Sequence, residues 1–106
     1  MLDLTGRVAL ITGGSKGIGR AIAVAMAGAG ADVAVAARGA DDLDRVAKEV
    51  EALGRRALAV PTDVTDVEQV RAMVEATTGE FGALDILVNV AGILRDRMIF
   101  NMTEAE

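Results

Sequence analysis

The chain is 106 residues long and contains no Cys, no His and no Tyr, which excludes disulfides, thiolate nucleophiles, the usual zinc sites and an imidazole base. A net charge of -5 without a basic stripe argues against a nucleic-acid partner, and no apolar run approaches the ~18 residues of a membrane span, so a cytoplasmic location is expected. With 52% hydrophobic residues and two Phe as the only aromatics, one aliphatic core is expected, in a single domain over residues 1–106.

Short apolar runs alternate with amphipathic segments, the pattern of an α/β fold with a doubly wound parallel sheet. Strands are predicted at 8–12, 32–37, 57–60 and 84–89. The first carries Val8, Ala9, Leu10 and Ile11, which suits a strand buried on both faces, and runs straight into a glycine-rich turn. Gly13 permits the sharp turn, Gly17 lets backbone approach a pyrophosphate, and Gly19 lets the next helix pack closely on the strand. The unpaired N–H groups and the dipole of that helix start attract an anion. Lys16 precedes a glycine and no Gly-Lys-Ser/Thr run exists, so the segment is not a P-loop.

The first helix is predicted to stack Ile18, Ala21, Ile22, Ala25, Met26 and Ala29 on one face and to end near Gly30. The second carries Leu43, Val46, Ala47, Val50 and Leu53, capped by Asp41 and stopped by Gly54. The third starts at a Thr65-x-x-Glu68 capping box, carries Val67, Val70, Val74 and Thr77, and stops around Gly79. Thr103-Glu104-Ala105-Glu106 repeats the capping-box pattern and announces a further helix, so the domain is expected to be incomplete as given; a frayed polar tail is the alternative.

The spacing Thr12-Gly13-x-x-x-Gly17-x-Gly19, then Asp63-Val64 after the third apolar run and Asn89-Val90-Ala91-Gly92 after the fourth, resembles the short-chain dehydrogenase/reductase family. Gly92-Ile93-Leu94-Arg95-Asp96 is similar to the segment after that motif in its 3-oxoacyl-acyl-carrier-protein reductase branch, while Val90 stands where the family usually has a second Asn. The resemblance implies a Rossmann-like sheet with strands in the order 3-2-1-4 and a ligand at the switch point between strands 1 and 4. It implies a parent oxidoreductase that moves hydride between NADPH and a small carbonyl or alcohol, with a 3-oxoacyl thioester as one candidate. The family's proton donor is a Tyr assisted by a Lys four residues later and by a Ser on a preceding strand. No residue of this chain takes those roles, so no catalytic residue and no metal ligand are assigned. A free-standing nucleotide-binding module without catalysis is the alternative.

The cofactor turns on the end of strand 2, where an NAD site needs a carboxylate for the ribose 2′-OH. The chain reads Ala36-Ala37-Arg38-Gly39 there, so Arg38 would meet a 2′-phosphate, and Lys16 resembles the basic residue that NADP-preferring relatives place beside it. Either cation alone also reads as a solvated surface charge. Ser15 would donate to a phosphate oxygen or serve as an ordinary helix N-cap, and Ile18 lies in the same loop-to-helix segment. Arg20 reaches toward ligand phosphate or, as the better reading, points to water. The family pattern implies that Asp63 bonds the adenine amino group, that Val64 packs by the ring, and that Asn89, Ala91 and Gly92 position the cofactor; a turn residue, strand-end filler and strand-end cap are the bland readings of Asp63, Val64 and Asn89. One side of the fourth strand has no partner, so self-association into a homo-oligomer is expected.

Overall fold

The computed structural model describes residues 3–13, 16–90 and 100–102. In chain order the elements are β1 (Val8–Thr12), α1 (Gly17–Gly28), β2 (Asp32–Ala37), α2 (Ala40–Ala52), β3 (Ala57–Pro61), α3 (Val67–Phe81), β4 (Ile86–Asn89) and β5 (Phe100–Met102). The sheet order is β3-β2-β1-β4-β5, and the first four strands in that order run parallel, as expected. β5 lies antiparallel on β4, with Val88 opposite Phe100 and Ile86 opposite Met102. The side of β4 expected to lack a partner is therefore paired over three residues by the chain itself. The helix announced at 103–106 lies outside the described residues.

The period-2 alternation of the strands divides the core into two layers. Ile11, Val33, Val35 and Val88 face one side, where Ala23 and Ala27 of α1 and Leu43, Val46 and Val50 of α2 cover them. Leu10, Ala34 and Ala36 face the other side, against Met73 of α3 with Val70, Val74 and Phe81 around it. Helices on both faces of a parallel sheet bury β1 completely, which is why its sequence is an unbroken apolar run. Beyond the strands, the Asp85 carboxylate accepts from the Val8 N–H (2.8 Å) while the Asp85 N–H donates to the Val8 carbonyl (2.9 Å), fixing the start of β1 to the chain entering β4.

Four local expectations are corrected. The buried face of α1 is Gly19, Ala23 and Ala27, with Ile22 and Met26 beside it; Ile18 is exposed. This helix is apolar nearly all round, so the smallest residues, which allow closest approach to the sheet, take the contact. The N-cap of α2 is Gly39, and Asp41 and Asp42 fall inside its first turn, where they complement the dipole. α3 is capped by Asp66, whose carboxylate accepts from the N–H groups of Glu68 (2.9 Å) and Gln69 (3.4 Å), because Thr65 is already engaged with Asp63. α3 also continues through Gly79 to Phe81 and stops at Gly82, whose φ of 83° is the left-handed cap that a residue with a Cβ resists. The stop of α2 at Gly54, with the same φ, is as expected.

Candidate functional site: the carboxyl ends of the parallel strands

Parallel register puts the carboxyl ends of four strands on one edge of the sheet. Thr12 is level with Ala36 on one side and Asn89 on the other. From β1 the chain leaves through α1 toward β2, while β4 lies on the opposite flank, so the strand order reverses at the end of β1, the switch point at which ligands bind in such sheets. The Thr12 hydroxyl ties β1 to β4, lying 3.2 Å from Asn89 Oδ1 and 3.4 Å from the Val88 carbonyl.

Gly13 turns the chain out of β1 with a φ of 78° and donates its N–H to the Ala36 carbonyl at 2.7 Å. Gly17 opens α1 with a φ of 53°, and a Cβ placed on it would meet nothing within 4 Å. The positive φ is what selects glycine here, and the space beside it is open. Gly19 is buried in the first turn, as close packing requires. That turn carries no acidic side chain, so nothing on the helix itself offsets the positive end of its dipole. Lys16 occupies the N-cap without a side-chain capping bond, in place of the Ser15 cap considered from sequence. Ser15, Ala91 and Gly92 lie outside the described residues.

Two cations stand at this edge and each already holds a carboxylate. Lys16 Nζ is 3.5 Å from Asp42 Oδ2 on α2, and Arg38 Nη2 is 3.2 Å from Asp63 Oδ1 past the end of β3. Their side chains are 78% and 75% exposed, the range in which an ion pair contributes little and readily exchanges partner. Asp63 is fixed by other means as well. Its Oδ1 accepts the Thr65 hydroxyl at 2.6 Å and the Thr65 N–H at 3.0 Å, and its own N–H donates to Gln69 Oε1 at 2.8 Å. The Thr65 hydroxyl, then the Thr65 N–H, and to a smaller degree Arg38 hold the Asp63 carboxyl below its ordinary value, outweighing the opposite pull of burial. Oδ2 takes no donor among the described residues and remains available to accept one. Val64, next in the chain, is half-exposed.

Arg20 stays on the solvent-exposed surface, as the better reading expected, but is paired there, its side chain 53% exposed. Its Nε and Nη2 donate to the two oxygens of Glu49 on α2 at 2.8 and 2.7 Å, a bidentate bond that straps α1 to α2. That bond holds the Glu49 carboxyl below its ordinary value. Sequence reasoning missed Thr65 as the residue that fixes Asp63 and Asp42 as the partner of Lys16. The Asp63-x-Thr65 spacing of an Asx-type turn was the available signal for the first; a contact between the glycine loop and α2 left none for the second.

The arrangement gathers glycine backbone, a helix start with no acidic side chain in its first turn, a cation at the N-cap of α1, a second cation after β2 and a carboxylate past β3. Among the described residues no helix is long and apolar enough to cross a membrane. Compared with known proteins, the sequence profile described as short chain dehydrogenase matches residues 7–106. A 3-oxoacyl-acyl-carrier-protein reductase of Staphylococcus aureus is 42% identical over 92% of this chain. Among solved structures, a short-chain type dehydrogenase/reductase from Mycobacterium marinum is 53% identical with a TM-score of 0.77 over 80% of this chain. A short chain dehydrogenase from Mycobacterium paratuberculosis, solved bound to NAD, is 38% identical with a TM-score of 0.76 over 80% of this chain. The chain spans 40% of the length of the Staphylococcus protein, 34% of the M. marinum chain and 36% of the M. paratuberculosis chain.

Proposed function

The chain belongs to the short-chain dehydrogenase family, and we propose that within it these residues form the NADP(H)-binding part of an oxidoreductase acting on a small carbonyl or alcohol. The observation that carries the choice of cofactor is the pair of exposed cations, Lys16 and Arg38, together with Ala37 where an NAD site would place a carboxylate. Gly13, Gly17 and Gly19 with the start of α1 would hold the pyrophosphate, and Ser15 would add a hydroxyl donor. Arg38 and Lys16 would turn from Asp63 and Asp42 to the 2′-phosphate. Asp63 would then accept from the adenine amino group on Oδ2, beside Val64 and the exposed Ile18. Asn89, Ala91 and Gly92 would border the path toward the nicotinamide.

Bound there, the cofactor supplies or accepts hydride. The chain's own part is to hold and orient it, which raises the local concentration of the reacting centre rather than moving a proton. A 3-oxoacyl thioester is the favoured substrate of the complete enzyme, since the name of the Staphylococcus relative carries that reaction. A cytoplasmic location and a homo-oligomer belong to the same reading; β5 forms the outer edge of the sheet and offers backbone groups to a second copy. The test is fluorescence titration of the chain with NADPH. Saturable binding that is lost in Gly17→Trp, with the fold retained by circular dichroism, supports the site; binding indifferent to that substitution places the cofactor elsewhere.

A further inference from the structure

We propose that Asp42 weakens the site's discrimination for a 2′-phosphate by competing with that phosphate for Lys16. The inference rests on the reading of Lys16 and Arg38 as the 2′-phosphate cations. Asp42 lies in the first turn of α2 with its side chain 26% exposed, and it accepts Lys16 on Oδ2 at 3.5 Å and Arg45 on Oδ1 at 3.2 Å. Its charge is anchored twice without Lys16: by Arg45 three residues along the same helix, and by the positive end of that helix.

Lys16, in contrast, is a flexible and largely exposed ammonium on a loop. When a phosphate takes it, the Asp42 carboxylate stays in place on Arg45 and keeps competing for the same ammonium. A ribose 2′-OH carries no charge and meets no such opposition, so the competition acts on the phosphorylated ligand alone. Arg38 meets a like competitor in Asp63, which Thr65 also fixes, so the part played by Asp42 is read by removing Asp42 alone.

The test uses the 106-residue chain and two probes of the adenine end, adenosine 2′,5′-bisphosphate and AMP, titrated by calorimetry at low ionic strength. Freeing Lys16 from its exposed partner should strengthen bisphosphate binding by about three- to tenfold in Asp42→Asn, with AMP changed by less than about twofold. The gain should vanish in the Lys16→Met background, and Asp42→Glu, which keeps the charge, should retain the original ratio of the two affinities. An Asp42→Asn chain with unchanged preference, an equal gain for both probes, or a gain that persists without Lys16 overturns the proposal. Selective loss of bisphosphate binding in Lys16→Met and Arg38→Ala, with no effect of Asp42→Asn, would sink this inference and leave the 2′-phosphate reading standing. Equal losses for both probes in those two variants, or no binding of either probe, would overturn both.

Discussion

Arg38 and Asp63 close over two adjacent strand ends, Nη2 to Oδ1 at 3.2 Å, so the cation proposed for the 2′-phosphate and the carboxylate proposed for the adenine hold each other. The pair is asymmetric. Arg38 is 75% exposed and bonds only Asp63 among the described residues, whereas Asp63 is also bonded twice by Thr65. A ligand can therefore draw Arg38 away without releasing Asp63.

That asymmetry fixes the titration of Asp63. A carboxyl held below its ordinary value of 3.8 contributes stability that is fully present above that value and lost as pH falls through the lowered one. In NMR titrations Asp63 should have a midpoint below 3.8, and Thr65→Val should raise that midpoint more than Arg38→Ala does, since the Thr65 hydroxyl is the largest cause. The reverse order would mean that the ion pair, rather than the turn, fixes the carboxylate.

Glycines at the end of α1 should respond oppositely to alanine. Gly30 has a φ of 110°, and a Cβ there would lie 2.7 Å from Thr5 Oγ1 and 3.0 Å from the Thr5 N. Gly28 is helical and a Cβ there meets nothing within 4 Å. Gly28→Ala should stabilise by about 0.4–1 kcal/mol, and Gly30→Ala should destabilise by more than that. Urea denaturation of both variants checks the pair, and a stable Gly30→Ala chain would contradict the packing of residue 5 on that turn.

Leu43 is fully buried between α2 and the sheet, whereas Val67 at the start of α3 is 72% exposed. Leu43→Ala should cost about 2–5 kcal/mol in the same denaturation experiment, and Val67→Ala should stay within about 0.5 kcal/mol. Comparable losses would show that the first turn of α3 is covered rather than open.

The chain should not reduce carbonyls by itself even where it binds cofactor. Positioned acid catalysis contributes about a hundred- to ten-thousandfold, and neither Tyr nor His is present to supply it. Asp63, the carboxyl nearest the proposed adenine position, is held below its ordinary value and so is ionised at neutral pH. NADPH oxidation should stay at background with 3-oxoacyl thioesters, ketones and quinones. Enzyme-proportional turnover abolished by Gly17→Trp would reveal a proton donor of another residue type at the site.

The parallel strands were legible because β1 and β2 are buried on both faces and read as continuous apolar runs, and because the glycine turn marks where β1 ends; their order followed from right-handed crossovers and the family resemblance. The α1 face was misread because a helix that is apolar on most sides has no stripe; residue size, not hydrophobicity, selected Gly19, Ala23 and Ala27. The start of α3 was misread by one residue because Thr65 and Asp66 both suit a cap, and the choice fell to Asp63, which recruits Thr65. At the site, the glycines and both cations were visible as residue types. That Asp42 and Asp63 pair with those cations was not, since each comes from another element and sequence spacing carries no trace of the contact.

If Arg38 meets a 2′-phosphate, the affinities of NADPH and NADH for the chain and for Arg38→Ala, measured side by side, reveal it most directly. A charge-assisted bond to phosphate is strong enough that its loss should weaken NADPH by about ten- to a hundredfold, while NADH should change by less than about twofold. Equal losses for the two cofactors, or tighter binding of NADH by the unaltered chain, would contradict the assignment.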